Sequence, residues 1–454
     1  ASASAQPWAA AVQAATVLPG DAVELSVSPR DTTVIAGDYV RYLVEVLDVH
    51  GNTAVLQSAQ NVSLIATSGN SFYDKDDHGI NISEVTIGAG ESSAEVDYRH
   101  TVMDLSIGYM LAFFDADGTP PSLIGASTDV YVDHAGAHPS STSIFSDRSS
   151  VVADGADEAV ITVDVDDEFG NPVDGVAVLL DATDTGGRNT LSQPPGPTGP
   201  DGRAVGTLRS TMAEDKTVSA TIDTEGVVDT ETIVFVAGPV DLAVSTIESD
   251  VDTVVADGSD EAVITVTVLD AEGNPVPGRS VVLESSGSGN VITQPVGVTG
   301  SGGVATGRIS STVAETKTVR ASIDGSLMSG QLSVVFTPGD VSLSLSEMTG
   351  DKSSVVADGV DEVTVTVTVR DSDGNPVPGS SVVLEAGGSG NVITQPVGVT
   401  GVDGTAVGYV ASTVAGTRTV RGLIDGSYMV DSLVVSFVAG PVDLAVSTIE
   451  SDVD

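Results

Sequence analysis

The chain has 454 residues, no cysteine, and 64 acidic against 17 basic side chains, for a net charge of −47. A surface of that sign repels nucleic acid and anionic lipid, and the lack of cysteine excludes a disulfide framework, a thiolate metal site and a cysteine nucleophile. Apolar residues make up 41% and aromatics 4%, so the cores are built from Val, Ile, Leu and Ala, while Gly 50 and Pro 20 supply turns and the composition leans all-β. No apolar run approaches the ~18 residues of a membrane span.

Residues 1–20 are rich in small side chains, as beside a signal-peptide cleavage site, and read as a processed N-terminal segment of a secreted or cell-surface protein. Residues 21–133 read as a domain of their own. Alternation over residues 40–47 predicts a strand, and His50-Gly51-Asn52-Thr53 after it predicts a turn. Phe72, Tyr73, Phe113 and Phe114 are placed on loops of this domain, with core packing expected for the last two.

From there the chain repeats with a period of 101 residues. Residues 438–454 are identical to residues 236–252, 202 positions earlier. Such a period is too long for a solenoid unit and fits a complete small β domain, so each repeat folds around its own core. The expected domains are 134–239, 240–339 and 340–440, and 441–454 reads as the first strand of a further repeat. A continuation past Asp454 is expected over donation of that strand to another subunit, because residues 21–133 leave no obvious acceptor groove.

Three phrases recur in order within each repeat. Ala153-Asp154-Gly155 returns as Ala256-Asp257-Gly258 and Ala357-Asp358-Gly359. Fifteen residues after each Gly comes Gly-Asn-Pro-Val, at Gly170, Gly273 and Gly374, with Asp167, Asp270 or Asp371 three residues ahead. The interval is one strand: Val363, Val365, Val367 and Val369 alternate with polar residues, a period of two with one face buried. A strand near Ser280, a Gly/Ser loop, the Thr299-Gly300 turn and three more strands follow, about seven in all. Short strands at that spacing predict an all-β, seven-stranded Greek-key sandwich in tandem array.

The order V-A-D-G-x-D-E, V-T-V-T-V, D-x-x-G-N-P-V and T-V-R-A resembles the bacterial immunoglobulin-like repeats of the invasin and intimin adhesins, over residues 140–454 and more faintly over 21–133. The resemblance implies immunoglobulin-like sandwiches, surface stalks and adhesion.

Chemistry is sparse. All five histidines, His50, His78, His100, His134 and His138, lie in or beside the first domain without the spacing of a zinc site. No phosphate loop or Gly-x-Ser-x-Gly elbow occurs, so catalysis is not expected. Asp74-Lys75-Asp76-Asp77, Asp115-Ala116-Asp117-Gly118 and Asp371-Ser372-Asp373-Gly374 share the short Asp-x-Asp pattern of calcium loops, without the rest of an EF-hand. Stacked end to end, one repeat would bring Asp154, Asp157 and Glu158 toward Asp270, Glu272 and Asp324 of the next, with linker Asp241 nearby. Such an oxygen-only cluster predicts an interdomain calcium ion. Lys216 and Lys317 are equivalent but Arg418 replaces them in the last repeat, so an intramolecular Lys–Asn crosslink is not expected.

The expected function is an extracellular structural one: a stalk, filament or surface-layer rod that self-associates or joins a cell-surface assembly, stiffened by short Pro-containing links. The alternative is an adhesin whose divergent first domain reads a host or surface ligand.

Overall fold

The computed structural model describes residues 17–67, 72–116, 122–227, 229–442, 446, 448 and 450. Residues 1–16, Asp117, Gly118 and most of 441–454 lie outside the described residues, and with them the readings of the first segment and the last strand. The chain divides into two compact units, Ala1–Val236 and Ala237–Asp454. Among the described residues all helix or strand structure is β, and no helix is long and apolar enough to cross a membrane.

In the second unit the first sandwich has one sheet ordered Thr246–Ser249, Ala262–Thr267, Val304–Ser311, Asn290–Thr293. The facing sheet is ordered Thr253–Val255, Ser326–Thr337, Thr316–Ile323, Val281–Ser285. The opening strand is split: Thr246–Ser249 pairs antiparallel with Ala262–Thr267, and Thr253–Val255 pairs parallel with Ser326–Thr337. Counted as one, the split strand makes seven strands, a total that includes Asn290–Thr293, and the repeat after it has the same two sheets. The inward set of Val363–Thr368 is fully buried, as its period of two dictates. Each core closes on one phenylalanine, Phe336 here and Phe437 in the next repeat, both 2% exposed.

One strand was not foreseen. Asn290–Thr293 pairs with Val304–Ser311 where the sequence suggests only loop. It is a short edge strand with a half-exposed face, so neither hydrophobic pattern nor length announces it.

The first unit holds two sandwiches. The one built from strands between Ser143–Ser146 and Glu231–Val236 repeats the split opening strand. The other, ahead of it, has two five-stranded sheets and the same device: Ala22–Ser28 is antiparallel to Tyr39–Asp48, and Thr32–Ile35 is parallel to Ala126–Asp133. Short strands Phe72–Tyr73, Asn81–Ile82 and Glu84–Ile87 widen its edges. Its core is more aromatic, with Tyr42, Phe72, Tyr98 and Phe113 fully buried. The aromatic placements therefore need correction: Phe72 and Tyr73 lie on one strand and Phe113 and Phe114 on another, none on a loop. Phe72 is a core residue on a strand, 5.8 Å from Phe113, while Phe114, expected inside, is 47% exposed because neighbours on a strand face opposite ways.

Candidate functional site

The Asp-x-x-Gly-Asn-Pro turn is a tight hairpin whose glycine sits at positive φ, +84° at Gly170 and +86° at Gly374, a conformation other residues adopt only with strain. The leading aspartate organises it. Asp371 Oδ1 accepts the N–H groups of Asp373 and Asn375, and Oδ2 accepts Asn375 Nδ2 at 2.8 Å. Oδ2 also accepts Gly339 N–H at 2.9 Å, which ties the incoming link to the turn. The turn thus marks the upstream pole of its domain. Burial pushes the Asp371 carboxyl up, but the Asn375 amide and these N–H donors outweigh it and hold the group below the usual carboxylate range. Asp167 is arranged the same way, with Ala135 N–H in the place of Gly339.

The asparagine does something else. Asn375 Nδ2 donates to Thr312 O of the preceding domain at 3.1 Å, and Ala314 N–H of that domain donates back to Asn375 Oδ1 at 2.9 Å. In the first unit Asn171 Nδ2 donates to Thr101 O at 2.7 Å, and Met103 N–H donates to Asn171 Oδ1 at 2.8 Å. One amide therefore closes its own turn and grips the neighbour's backbone two residues apart. Asn171 and Asn375 are 5% and 6% exposed, so these are buried, mutually satisfied groups. The signal for this role was in the sequence, an Asn constant across repeats, but spacing alone does not say what it touches.

The first-unit junction has an extra clamp. Phe169 packs on the Arg99 guanidinium, 5.6 Å from ring centroid, and Arg99 also lies 5.4 Å over Tyr39. A Cβ on Gly37 would come within 2.4 Å of the Phe169 ring, so the contact requires glycine there.

The downstream pole presents the receiving turn, and a buried cation holds it. Thr312 N–H donates to Gly289 O at 3.2 Å, closing the turn onto the neighbouring loop. The Lys317 side chain is fully buried; its Nζ donates to Ser288 O at 2.6 Å and to Glu315. Lys216 is buried against Glu214 in the same way. In the last repeat both members change, to Gly416 and Arg418. Arg418 then donates to Asn391 Oδ1 at 3.1 Å, Ser389 O at 3.1 Å and Val414 O at 2.9 Å. A Cβ at Gly416 would sit 2.8 Å from Arg418 Nη1, so the glycine makes room for the arginine.

Of the expected calcium ligands, the carboxylates of Asp154, Asp157, Glu158, Asp241, Asp270 and Asp324 are engaged near home. In the first unit Asp154 accepts the N–H groups of Ala156 and Asp157, Asp157 pairs with Arg148, and Glu158 pairs with Arg209. In the second unit Asp241 accepts N–H from Ala243 and Val244, Asp270 holds Gly238, Glu272 and Asn274, and Asp324 meets Ser280 N–H and Arg279. Among the described residues no group of three or more His, Cys, Asp or Glu is placed to hold a metal ion. Asp74 and Asp77 likewise accept N–H groups of their own turn, and Asp371 is the clamp described above.

A second surface lies on the first domain. Asp97, 3% exposed at its side chain, accepts Arg41 Nε at 2.9 Å and lies 2.7 Å from His78 Nε2. The Arg41 guanidinium, ahead of the opposing effect of burial, keeps this carboxyl below its usual range. His78 stacks on Tyr39 at 3.7 Å, and Tyr73 meets Tyr39 edge-on at 5.3 Å. Beside this group opens a cavity of about 590 Å³ lined by Leu43, Lys75, Asp76, Val85, Glu91 and Glu95.

Comparison with known proteins agrees with this architecture. Residues 141–236, 244–336 and 345–438 each match the bacterial Ig-like domain (group 1). The inverse autotransporter adhesin YeeJ of Escherichia coli (strain K12) is 28% identical over 240 residues, 52% of this chain and 10% of that protein. The chain thus spans about a tenth of the length of the curated relative it matches. Among solved structures, the Escherichia coli adhesin FdeC is 18% identical, covering 67% of this chain and 99% of that one, with a TM-score of 0.44. Invasin, a bacterial integrin-binding protein, is 14% identical over 91% of this chain and 78% of that one, also at 0.44. With three copies of the matched domain filling more than half of its length, the chain belongs to the bacterial Ig-like domain (group 1) family.

Proposed function

We propose that the chain is the domain-repeat part of a surface adhesin, in which sandwiches coupled end to end carry a binding surface away from the cell. The observation that supports this most is the asparagine latch, made by Asn171 in one unit and by Asn375 in the other. A latch that recurs at domain junctions is what a spacer needs, and the adhesin YeeJ, built on related sequence, points the same way. The binding surface is assigned to the first domain, at Tyr39, His78 and the adjoining cavity, because it joins exposed rings to a fixed ion network beside an open cleft.

Display of the chain on a non-adherent cell tests both parts. The reading expects attachment to host cells or glycans, lost in a Tyr39→Ala/His78→Ala variant that still folds. Attachment that is absent in the parent removes the adhesin reading. Attachment unchanged in the variant removes the assignment to this surface.

Calcium at Asp154, Asp157, Glu158, Asp241, Asp270, Glu272 and Asp324 is carried as a proposal supported by the net charge of −47. Calorimetric titration decides it: a saturable step that disappears in Glu272→Gln supports a site, and a featureless response rules one out.

A further inference from the structure

The first domain carries the same turn without its proline. Asp48 Oδ1 accepts the N–H groups of His50 and Asn52, Asn52 Nδ2 lies 3.1 Å from Asp48 Oδ2, and Gly51 has φ of +80°. The incoming link is tied on by Gly20 N–H to Asp48 Oδ2 at 2.7 Å, as Gly339 is tied to Asp371. The bridge between Leu47 and Thr53 matches the bridge between Arg370 and Pro376. Every part of the latch is present except a partner. Asn52 is exposed where Asn171 and Asn375 are buried, and its Oδ1 has no hydrogen bond among the described residues.

The surroundings suit a docked neighbour. A cavity of about 530 Å³ opens at this pole, lined by Leu18, Pro19, Ala22, Val55 and Leu56. Val49 and Val55 are 73% and 50% exposed beside it. Exposed apolar side chains around an unused, preorganised amide mark a contact surface more than a solvent-facing turn.

We propose that the Asp48-to-Asn52 turn is a third latch, and that its occupant is the downstream turn of another immunoglobulin-like domain of this kind, tethered ahead of Asp21. The partner chemistry is stated by the two latches already seen: a backbone carbonyl and an N–H two residues later, as at Thr312 and Ala314. The last repeat offers the same sequence at Thr413-Val414-Ala415. A tethered domain is preferred to a free one because a single bidentate amide contact is weak unless the link raises the local concentration. The inference rests on the coupling role proposed for Asn171 and Asn375.

The test joins a second copy of residues 340–440 ahead of Val17 in the full chain and follows amide hydrogen exchange. The Ala415 N–H of the added copy is expected to exchange about fivefold to tenfold faster when Asn52→Ala is introduced, the equivalent of one net hydrogen bond. Ala415→Pro in the added copy, which removes the donor and leaves the first domain untouched, is expected to loosen the junction equally. Unchanged exchange in Asn52→Ala overturns the proposal. Asn375→Ala in the same molecule separates the causes: release of Ala314 N–H there, with no effect at Asn52, sinks this inference alone, and no effect at either site sinks the latch itself. Sedimentation of the chain without the added copy closes the remaining route. Dimers lost on Asn52→Ala would name a second copy as occupant and overturn the tethered form.

Discussion

Asp371 and Asn375 divide one turn between two tasks, and substitution separates them. Asn375→Ala removes a buried amide that satisfies Thr312 O and Ala314 N–H of the neighbour, at a cost of about 1–3 kcal/mol to the junction and little to either core. Differential calorimetry is expected to show the unfolding steps of the second unit moving apart. Asp371→Asn acts inside its own domain, leaving N–H groups of Asp373, Asn375 and Gly339 without their charged acceptor. The pH dependence follows from the same geometry. Asp48, Asp167 and Asp371 all have lowered folded values, so their contribution is complete above the unfolded carboxylate value of ~3.9 and is lost as pH falls through the folded value. Urea unfolding is expected to show lower stability at acid pH in the parent and a smaller acid loss in Asp371→Asn. An equal loss in both would remove Asp371 from the account.

At the scale of the element, the downstream turn and the loop beside it are held by a cation in each repeat, by two different solutions. Lys317 is neutralised by Glu315, whereas Arg418 spreads its donors over Asn391, Ser389 and Val414 and needs Gly416 for space. Lys317→Met therefore leaves the Ser288 carbonyl without its donor, Glu315 being exposed enough to be solvated, and is expected to cost about 1–3 kcal/mol. The paired change Glu315→Gly with Lys317→Arg, which imports the last repeat's solution, is expected to stay within about 1 kcal/mol of the parent, while Lys317→Arg alone is not. Equilibrium unfolding of the three variants checks this. The pairing also shows where the sequence was legible. Strands such as Val363–Thr368 were readable because one face is fully buried and the period is two. Asn290–Thr293 was not, since a four-residue edge strand buries too little to leave a pattern. The acids of the turns were legible as turn residues, but not the local N–H groups onto which the structure turns many of their carboxylates. Asn171 and Asn375 were visible as constants, yet their partners lie 70 and 63 positions away, a relation only the fold creates.

Over the whole molecule, 64 acids against 17 bases leave a self-repulsion that no local pairing removes. Screening by salt is therefore expected to raise the unfolding temperature between low ionic strength and 1 M sodium chloride, through a Debye length that shrinks to about 3 Å. A flat response would mean that the turn contacts already offset the charge. The two domains in each unit are joined through an asparagine amide, to which Phe169 on Arg99 adds a clamp in the first unit. Met103 and Ala314 N–H donate across a junction to Asn171 and Asn375, so their exchange reports on the joints and on little else. Amide hydrogen exchange on the full chain, with and without Asn171→Ala and Asn375→Ala, is the direct measurement. Both amides are expected to be protected in the parent and to lose about fivefold to tenfold protection in the variants, with the core strands unchanged. Unprotected amides in the parent, or equal protection in the variants, would contradict the account.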